Sequence, residues 1–146
     1  MHDEDEDKAL GELKRVDHLI YVTLKYTRTV DVIRTVIEKL ISTFNNQSES
    51  MFTTFLDDKK VSYIPTVPLV RMKDLEKHYK KDKQVKNIID FYMLLKRIYN
   101  AEYKAKEEYR KNVTLVTRDN EVNIELLKTY YELTQEYISY LNNINK

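Results

Sequence analysis

The stretch from residue 9 to residue 44, ALGELKRVDHLIYVTLKYTRTVDVIRTVIEKLISTF, decides the fold. It contains no proline, and its one glycine, Gly11, lies near its start. Apolar residues recur in it at spacings of three and four, which is the period of one face of an α-helix. These residues are Leu19, Val22, Tyr26, Val30, Ile33, Ile37, Leu40 and Phe44. The spacing predicts one long helix over residues 9–44.

Two further stretches repeat this period and predict two more long helices. One covers residues 72–111, where residues 80–83 could hold a break, and the other covers residues 119–143. Asp119 is a good N-cap, because its side-chain oxygen can accept a hydrogen bond from the first helical turn. Residues 113–117 are predicted to be extended and to connect these two helices.

The segment between the first two long helices carries two signals against regular helix. Asn45-Asn46-Gln47-Ser48 interrupts the apolar pattern with residue types that favour caps and turns. Residues 45–58 are therefore predicted to form either a short separate helix or a kinked continuation of the first helix. Pro65 and Pro68 exclude regular helix from residues 61–70, which we expect to cross one end of the bundle.

The composition favours helices over sheets. The chain of 146 residues has one glycine and two prolines, whereas hairpins and phosphate-binding loops need glycine where the backbone takes a positive φ or approaches a ligand closely. The predicted fold is all-α: an elongated antiparallel bundle of three long helices plus one short helix. Residues 1–8, which include an acidic run, are predicted to be a disordered tail, and residues 9–146 a single domain.

Charge and cysteine content limit the classes of partner. The formal net charge is +1, so no overall field favours nucleic acid or an anionic membrane. The longest stretch without a charged residue, residues 61–70, is too short for a membrane span, which needs about 20 residues. A chain without cysteine suits a reducing compartment, and we expect a cytoplasmic location. No Glu-x-x-His pair is present, so we expect no metal and no cofactor and favour a non-enzymatic protein.

The N-terminal half of the first predicted helix has a second apolar face. Its residues are Leu13, Val16, Ile20 and Leu24. A helix that is apolar on two sides is packed from two sides, and the second contact could be the last helix or another subunit. We therefore predict a protein–protein interaction or self-association module, expected to be a homo-oligomer, with a dimer as the first candidate.

Farther along, the same face of this helix is polar. Thr27, Asp31, Arg34 and Glu38 continue the helical spacing, and we name them the polar waist. Arg34 is spaced to form ion pairs with Asp31 and Glu38 on a solvated face. The alternative is a polar pocket in which Arg34 binds an anion.

A basic segment supports an alternative function. Residues 59–86 contain nine Lys and Arg residues and three acids, with Tyr63 and Tyr79 among them. Cations interleaved with aromatic side chains suit phosphate contacts combined with base stacking, as in RNA binding. The candidate nucleic-acid contacts are Lys77, Lys80, Lys81, Lys83 and Lys86. A solvated helix face would have the same pattern.

Two residues of this segment suggest a third function. Arg71 and His78 are separated by six residues, which resembles the Arg-(four to six)-His motif of the HEPN ribonucleases, a family of small helical bundles. The resemblance implies RNA cleavage with Arg71 and His78 in the catalytic site. Met72 follows the arginine, where that family often has a polar residue.

Overall fold

The computed structural model describes the backbone of residues 2–145 and the side chains of residues 8–145. The chain is mostly helical, and its C-terminal half includes a three-stranded antiparallel sheet. The helices and strands in chain order are α1 (His2–His18), a π-helical segment (Leu19–Thr23), a single helical turn (Leu24–Tyr26), α2 (Val30–Asp57), α3 (Pro68–His78), α4 (Lys83–Asn100), β1 (Tyr103–Lys106), β2 (Thr114–Thr117), β3 (Glu121–Asn123) and α5 (Ile124–Ile144).

The N-terminal helical segment, residues 2–26, consists of α1, the π-helical segment and the single turn. Since α1 begins at His2, the backbone of the predicted tail (residues 1–8) is helical wherever it is described. The division into this tail and a domain over residues 9–146 stays a prediction.

The predicted helix over residues 9–44 is two helices, because residues 27–29 break it. Thr29 has extended backbone and its hydroxyl accepts a hydrogen bond from the Val32 amide at 3.3 Å, which makes it the N-cap of α2. The Val30 amide donates to a carboxylate oxygen of Glu108 at 2.8 Å. Two orphan donors of the new helix are therefore satisfied at the break.

Of the two alternatives predicted for residues 45–58, the structure has the continuation of the preceding helix, because α2 runs unbroken from Val30 to Asp57. Polar side chains occur within this helix because they bond to other segments: the Asn45 oxygen accepts from Tyr92 at 2.7 Å, and Gln47 donates to Asn142 at 2.7 Å.

The second predicted long helix is also two helices, and the break expected at residues 80–83 is found between α3 and α4. Asp82 accepts hydrogen bonds from the Gln84 and Val85 amides, which caps α4. Helix α4 ends at Asn100, not at residue 111. Residues 101–123, predicted to be helix and connection, contain the sheet, so the all-α fold of three long helices is corrected to a mostly helical fold with a small sheet.

The sheet has the order β1-β2-β3, and its buried side chains are on β2 and β3. Leu115 and Val122 are paired across these strands and fully buried, whereas every residue of β1 is exposed. The extended stretch predicted at residues 113–117 is confirmed by β2. Helix α5 is capped by Asn123, whose side chain accepts from the Leu126 amide at 2.8 Å, and not by Asp119.

The low glycine content does not prevent a sheet, because other residues adopt the backbone conformations that glycine usually takes. Glu107 and Tyr109, in the connection between β1 and β2, have φ values of 55° and 71°. The turn between β2 and β3 is closed by Thr117, whose amide donates to the Asn120 carbonyl at 2.8 Å and whose hydroxyl accepts from the Asn120 amide at 3.0 Å. Tight turns therefore form here without glycine.

The core lies between the helices and is rich in aromatic side chains. Phe91 is in edge contact with Phe44, Tyr130 and Tyr137 at ring distances of 5.4–6.0 Å. Such edge-to-face pairs add to the free energy gained by burying apolar area. The core thus joins α2, α4 and α5.

Candidate anion-binding pocket

A cavity of about 340 Å³ lies where the N-terminal helical segment, the connection before β2 and the start of α5 meet. Four cationic side chains line it, and we name it the basic pocket. They are Lys25, Arg28, Lys111 and Lys128. Because they come from three separate parts of the chain, the tertiary fold brings these cations together.

A strained connection holds one wall of the basic pocket in place. The Tyr109 amide donates to the Arg28 carbonyl at 2.7 Å, and Glu108 accepts from the Val30 amide. On either side of Glu108, Glu107 and Tyr109 have left-handed backbone, a conformation that costs about 1 kcal/mol or more for residues with a Cβ. These two hydrogen bonds fix the connection that carries Lys111 against the break after Tyr26.

The opposite wall includes the π-helical segment, Leu19–Thr23. In a regular α-helix each residue is rotated by about 100° around the axis. The side chains of residues four apart therefore differ in direction by about 40°. The wider π-helical turns cancel this difference, so Val16, Ile20 and Leu24 stay on one buried line. As a result Tyr21 and Lys25 lie together on the flank that faces the pocket.

The electrostatics of the basic pocket are strongly unbalanced. Glu125 is the one carboxylate among its lining residues, and it is 3.4 Å from the Lys128 ammonium. Among residues 8–145, no carboxylate lies within ion-pair distance of Lys25, Arg28 or Lys111. The N-terminus of α5 adds the positive end of a helix dipole. The pocket therefore favours an anion.

An aromatic side chain completes the lining. The Lys128 ammonium lies 5.5 Å from the centre of the Tyr21 ring, and Tyr131 meets that ring edge-on at 6.5 Å. The Tyr131 hydroxyl donates to Asp17 at 3.3 Å. Burial, together with this carboxylate, raises the pKa of Tyr131 to about 12. The floor is apolar and consists of Ile20, Leu24 and Ile124.

The predicted self-association surface is inside the protein. Leu13, Val16, Ile20 and Leu24 are 0–7% exposed and belong to the core. The faces of the N-terminal helical segment are therefore exchanged relative to the expectation, since Val22 (43% exposed) and Tyr26 (85%) of the predicted main stripe point to solvent.

The polar waist does not form the expected ion pairs. The Arg34 guanidinium lies 4.5 and 4.6 Å from the ring centres of Tyr99 and Tyr103 and donates to the Tyr99 carbonyl at 3.0 Å. Glu38 accepts from the Tyr99 hydroxyl at 2.7 Å, and this bond, with burial, raises the pKa of Tyr99. Thr27 and Asp31 are exposed. Arg34 thus ties the start of the sheet to α2.

The predicted nucleic-acid contacts lie on α3, on α4 and on the turn that joins them. Lys77, Lys80, Lys81, Lys83 and Lys86 are all exposed. Lys77 pairs with Asp74 at 3.4 Å. Nearby, the Tyr140 hydroxyl is bonded to Asp82 at 2.6 Å. Along α5, Tyr140 is about 22 Å from Glu125 in the basic pocket, so these lysines lie apart from the basic pocket.

Arg71 belongs to a buried network that we name the Arg71 cluster: Asn45, Ser48, Arg71 and Tyr92. The guanidinium donates to the carbonyls of Pro65 (2.9 Å) and Asn45 (3.2 Å) and to the Ser48 hydroxyl (3.2 Å). Burial raises the pKa of Tyr92 to about 12. Arg71 therefore connects the proline-containing linker to α2 and is not accessible to RNA.

His78 lies in a different environment from Arg71. Its ring is stacked on Phe55 at 4.3 Å and meets Phe52 edge-on at 5.7 Å. Burial and, to a smaller degree, the Lys60 charge lower the pKa of His78. The two motif residues are used separately for packing and bonding, so this geometry does not form the site that the HEPN resemblance implied.

The sequence pattern does not predict the basic pocket. Lys25 and Arg28 occupy the polar side of the first predicted helix, and Lys111 is the last residue of the second predicted helix. One local signal was present, since β-branched Thr27 and Thr29 flank Arg28 and weaken the helix. Nothing in the sequence shows that residues 107–112 pack against that point.

Comparisons with protein-family models, curated proteins and solved structures found no match for this chain. Within residues 2–145, the helices are too short or too polar to cross a lipid bilayer. In the same part of the chain, no three His, Cys, Asp or Glu residues are grouped so that they could hold a metal ion.

Proposed function

We propose that this protein binds a phosphate-bearing ligand in the basic pocket and acts by binding, without covalent chemistry. One observation carries the proposal: cations from three separate segments converge on a single cavity, and three of the four have no carboxylate partner among the described residues. Like charges placed together repel each other, and an anion between them removes that repulsion.

The chemistry of the lining suits phosphate. The Arg28 guanidinium can donate two parallel hydrogen bonds to phosphate oxygens, while Lys25 and Lys111 act as point charges. The N-terminus of α5, which lines the same pocket, adds the positive end of a helix dipole. A volume of about 340 Å³ lies within the range of small-molecule sites.

Calorimetric titration with inorganic pyrophosphate tests this proposal. We expect the wild-type chain to bind, and Lys25→Gln/Lys111→Gln to lose at least tenfold in affinity, because both changes remove cations that face the cavity. The matched control is Lys80→Gln/Lys81→Gln, which removes the same charge from the turn between α3 and α4.

The two double variants also separate the basic pocket from residues 59–86. Loss of binding in the control alone would place the anion site at the lysines of that segment and contradict the proposal. Absence of binding by the wild-type chain at low salt would refute both locations.

Self-association as a dimer stays a proposal without an assigned surface, because the four residues that suggested it are buried within the chain. Light scattering at tens of micromolar tests it, and a monomer there would exclude it. The cytoplasmic location, suggested by the absence of cysteine, is likewise a proposal.

A further inference from the structure

The N-terminal helical segment forms a wall of two cavities, on opposite flanks. One cavity is the basic pocket. The other, about 390 Å³, lies between α1 and α2, and we name it the second cavity. Its lining is Lys14, Arg15, His18, Leu19, Thr35 and Lys39. Cationic side chains therefore lie on both sides of the same helical segment.

Two of the described acids near these cations are engaged by other residues. Glu12 is buried, is paired with Arg15, and lies 3.9 Å from the Lys39 ammonium. Asp17 accepts the hydrogen bond from Tyr131. Lys14, in contrast, has no carboxylate within ion-pair distance among residues 8–145. The charged side chains described in the linings of the two cavities are thus mainly cationic, although the whole chain is nearly neutral.

Exposed aromatic side chains lie on the same segment, beside the cations of the basic pocket. Tyr26 is 85% exposed and Tyr21 is 38% exposed. Burial of such large rings against a partner is favourable, and Tyr26 packs against no other aromatic ring among the described residues. Proteins that bind single-stranded nucleic acid combine cations, which contact the phosphates, with exposed aromatic rings, on which the bases stack.

We propose that a single-stranded nucleic acid crosses the outer face of the N-terminal helical segment, from the basic pocket to the second cavity, with a base stacked on Tyr26. This inference rests on the proposed function, since the pocket holds one phosphate of the strand. From Lys14 to Arg28 the segment extends about 20 Å, roughly the length of six stacked nucleotides. A single phosphorylated molecule cannot contact both ends.

A length series tests the inference. Fluorescence anisotropy would measure the affinity for oligouridylates of two to twelve nucleotides at low salt. We expect affinity to rise with length up to about six nucleotides and then to level off. Raising salt from 50 to 300 mM should weaken binding of the octamer at least tenfold, because counterions are released from the strand.

Three variants separate stacking from charge. Tyr26→Ala should weaken octamer binding at least fivefold while Tyr26→Phe retains it, since the ring and not the hydroxyl stacks. Lys14→Gln/Lys39→Gln should weaken the octamer and leave pyrophosphate binding unchanged. Tyr63→Ala is the matched control, because Tyr63 is 69% exposed at a distant position in the sequence.

The results distinguish this inference from the proposed function. If the protein binds pyrophosphate but has equal affinity for the dinucleotide and the octanucleotide, the proposed strand path is wrong and the anion-binding pocket still holds. Equal affinity of Tyr26→Ala and wild type would also overturn the strand path, as would equal affinity for a duplex of the same length. Absence of pyrophosphate binding by the wild-type chain would refute both the proposed function and this inference.

Discussion

The Arg71 cluster and the basic pocket are both built from polar and cationic residues, but their charges face different surroundings. In the Arg71 cluster the guanidinium is 5% exposed and bonded to oxygens of the linker and α2. In the basic pocket Lys25, Arg28 and Lys111 face an open cavity, and none of them is paired with its one lining carboxylate, Glu125. The first arrangement completes the fold, whereas the second leaves charge for a ligand.

The difference separates structural from functional cations. Burial of a charged group is tolerated only when hydrogen bonds replace its lost water, and the Arg71 cluster meets this requirement within the chain. Cations that converge without such partners destabilise the folded state slightly through repulsion. Arg71 should therefore matter for stability and little for binding, and the pocket cations should show the reverse.

The largest expected effect is on stability. Arg71→Met removes the hydrogen bonds to the Pro65 carbonyl, the Asn45 carbonyl and the Ser48 hydroxyl, so the free energy of unfolding should fall by about 3 kcal/mol. Urea denaturation measures the change. Lys73→Met, an exposed substitution on the same helix, should change stability by less than about 0.5 kcal/mol. Equal effects of the two substitutions would contradict the structural role of Arg71.

The next largest effect is the dependence of the free energy of unfolding on pH through Tyr92. The pKa of Tyr92 is about 12 in the folded chain, against about 10 in an unfolded one. The protonated phenol is favoured by folding, so its contribution is complete below pH 10 and is lost as the pH rises from 10 to 12. This loss is on the order of 2 kcal/mol. Between pH 10 and 12, the free energy of unfolding of Tyr92→Phe should fall less steeply than that of wild type. Parallel declines in the two proteins would refute this role of the Tyr92 phenol.

A smaller effect is expected at the break that forms the pocket wall. Glu108→Ala removes the acceptor of the Val30 amide, so stability should fall by about 1 kcal/mol and pyrophosphate affinity should fall with it. Glu102→Ala, on an exposed residue nearby, is the control. A stability loss without any change in affinity would show that this bond does not position Lys111.

The prediction with the smallest change in stability concerns the pocket cations. Arg28→Gln removes a side chain that repels its neighbours, so stability should stay within about 0.5 kcal/mol of wild type or rise. Urea denaturation with and without pyrophosphate measures stability and binding together. A loss comparable with that of Arg71→Met would mean that Arg28 is a structural residue.

The sequence predicted the parts of the fold that depend on local periodicity. Val85, Ile88, Tyr92 and Leu95 follow the helical period and are fully buried on α4. The break within the first predicted helix could not be placed in this way, because one of its stabilising bonds comes from Glu108, 78 residues farther along the chain.

The sheet and the basic pocket depend on contacts between residues that are far apart in the sequence. Glycine normally marks a positive φ, yet Glu107 and Tyr109 adopt it because the hydrogen bonds to residues 28 and 30 hold them there. Lys111 meets Lys25 and Arg28 only through those contacts. Leu13 and its three partners in the stripe gave a correct signal of burial, but the covering surface is the chain itself.

The most direct test of this account compares the thermal unfolding of wild type and Lys25→Gln/Arg28→Gln/Lys111→Gln, with and without pyrophosphate. We expect equal unfolding midpoints without ligand, within about 2 °C. At 100 times the dissociation constant, the wild-type midpoint should rise by roughly 5–10 °C and that of the variant should not. Equal rises in both proteins, or a variant that is unfolded without ligand, would contradict the claim that these cations serve a ligand and not the fold.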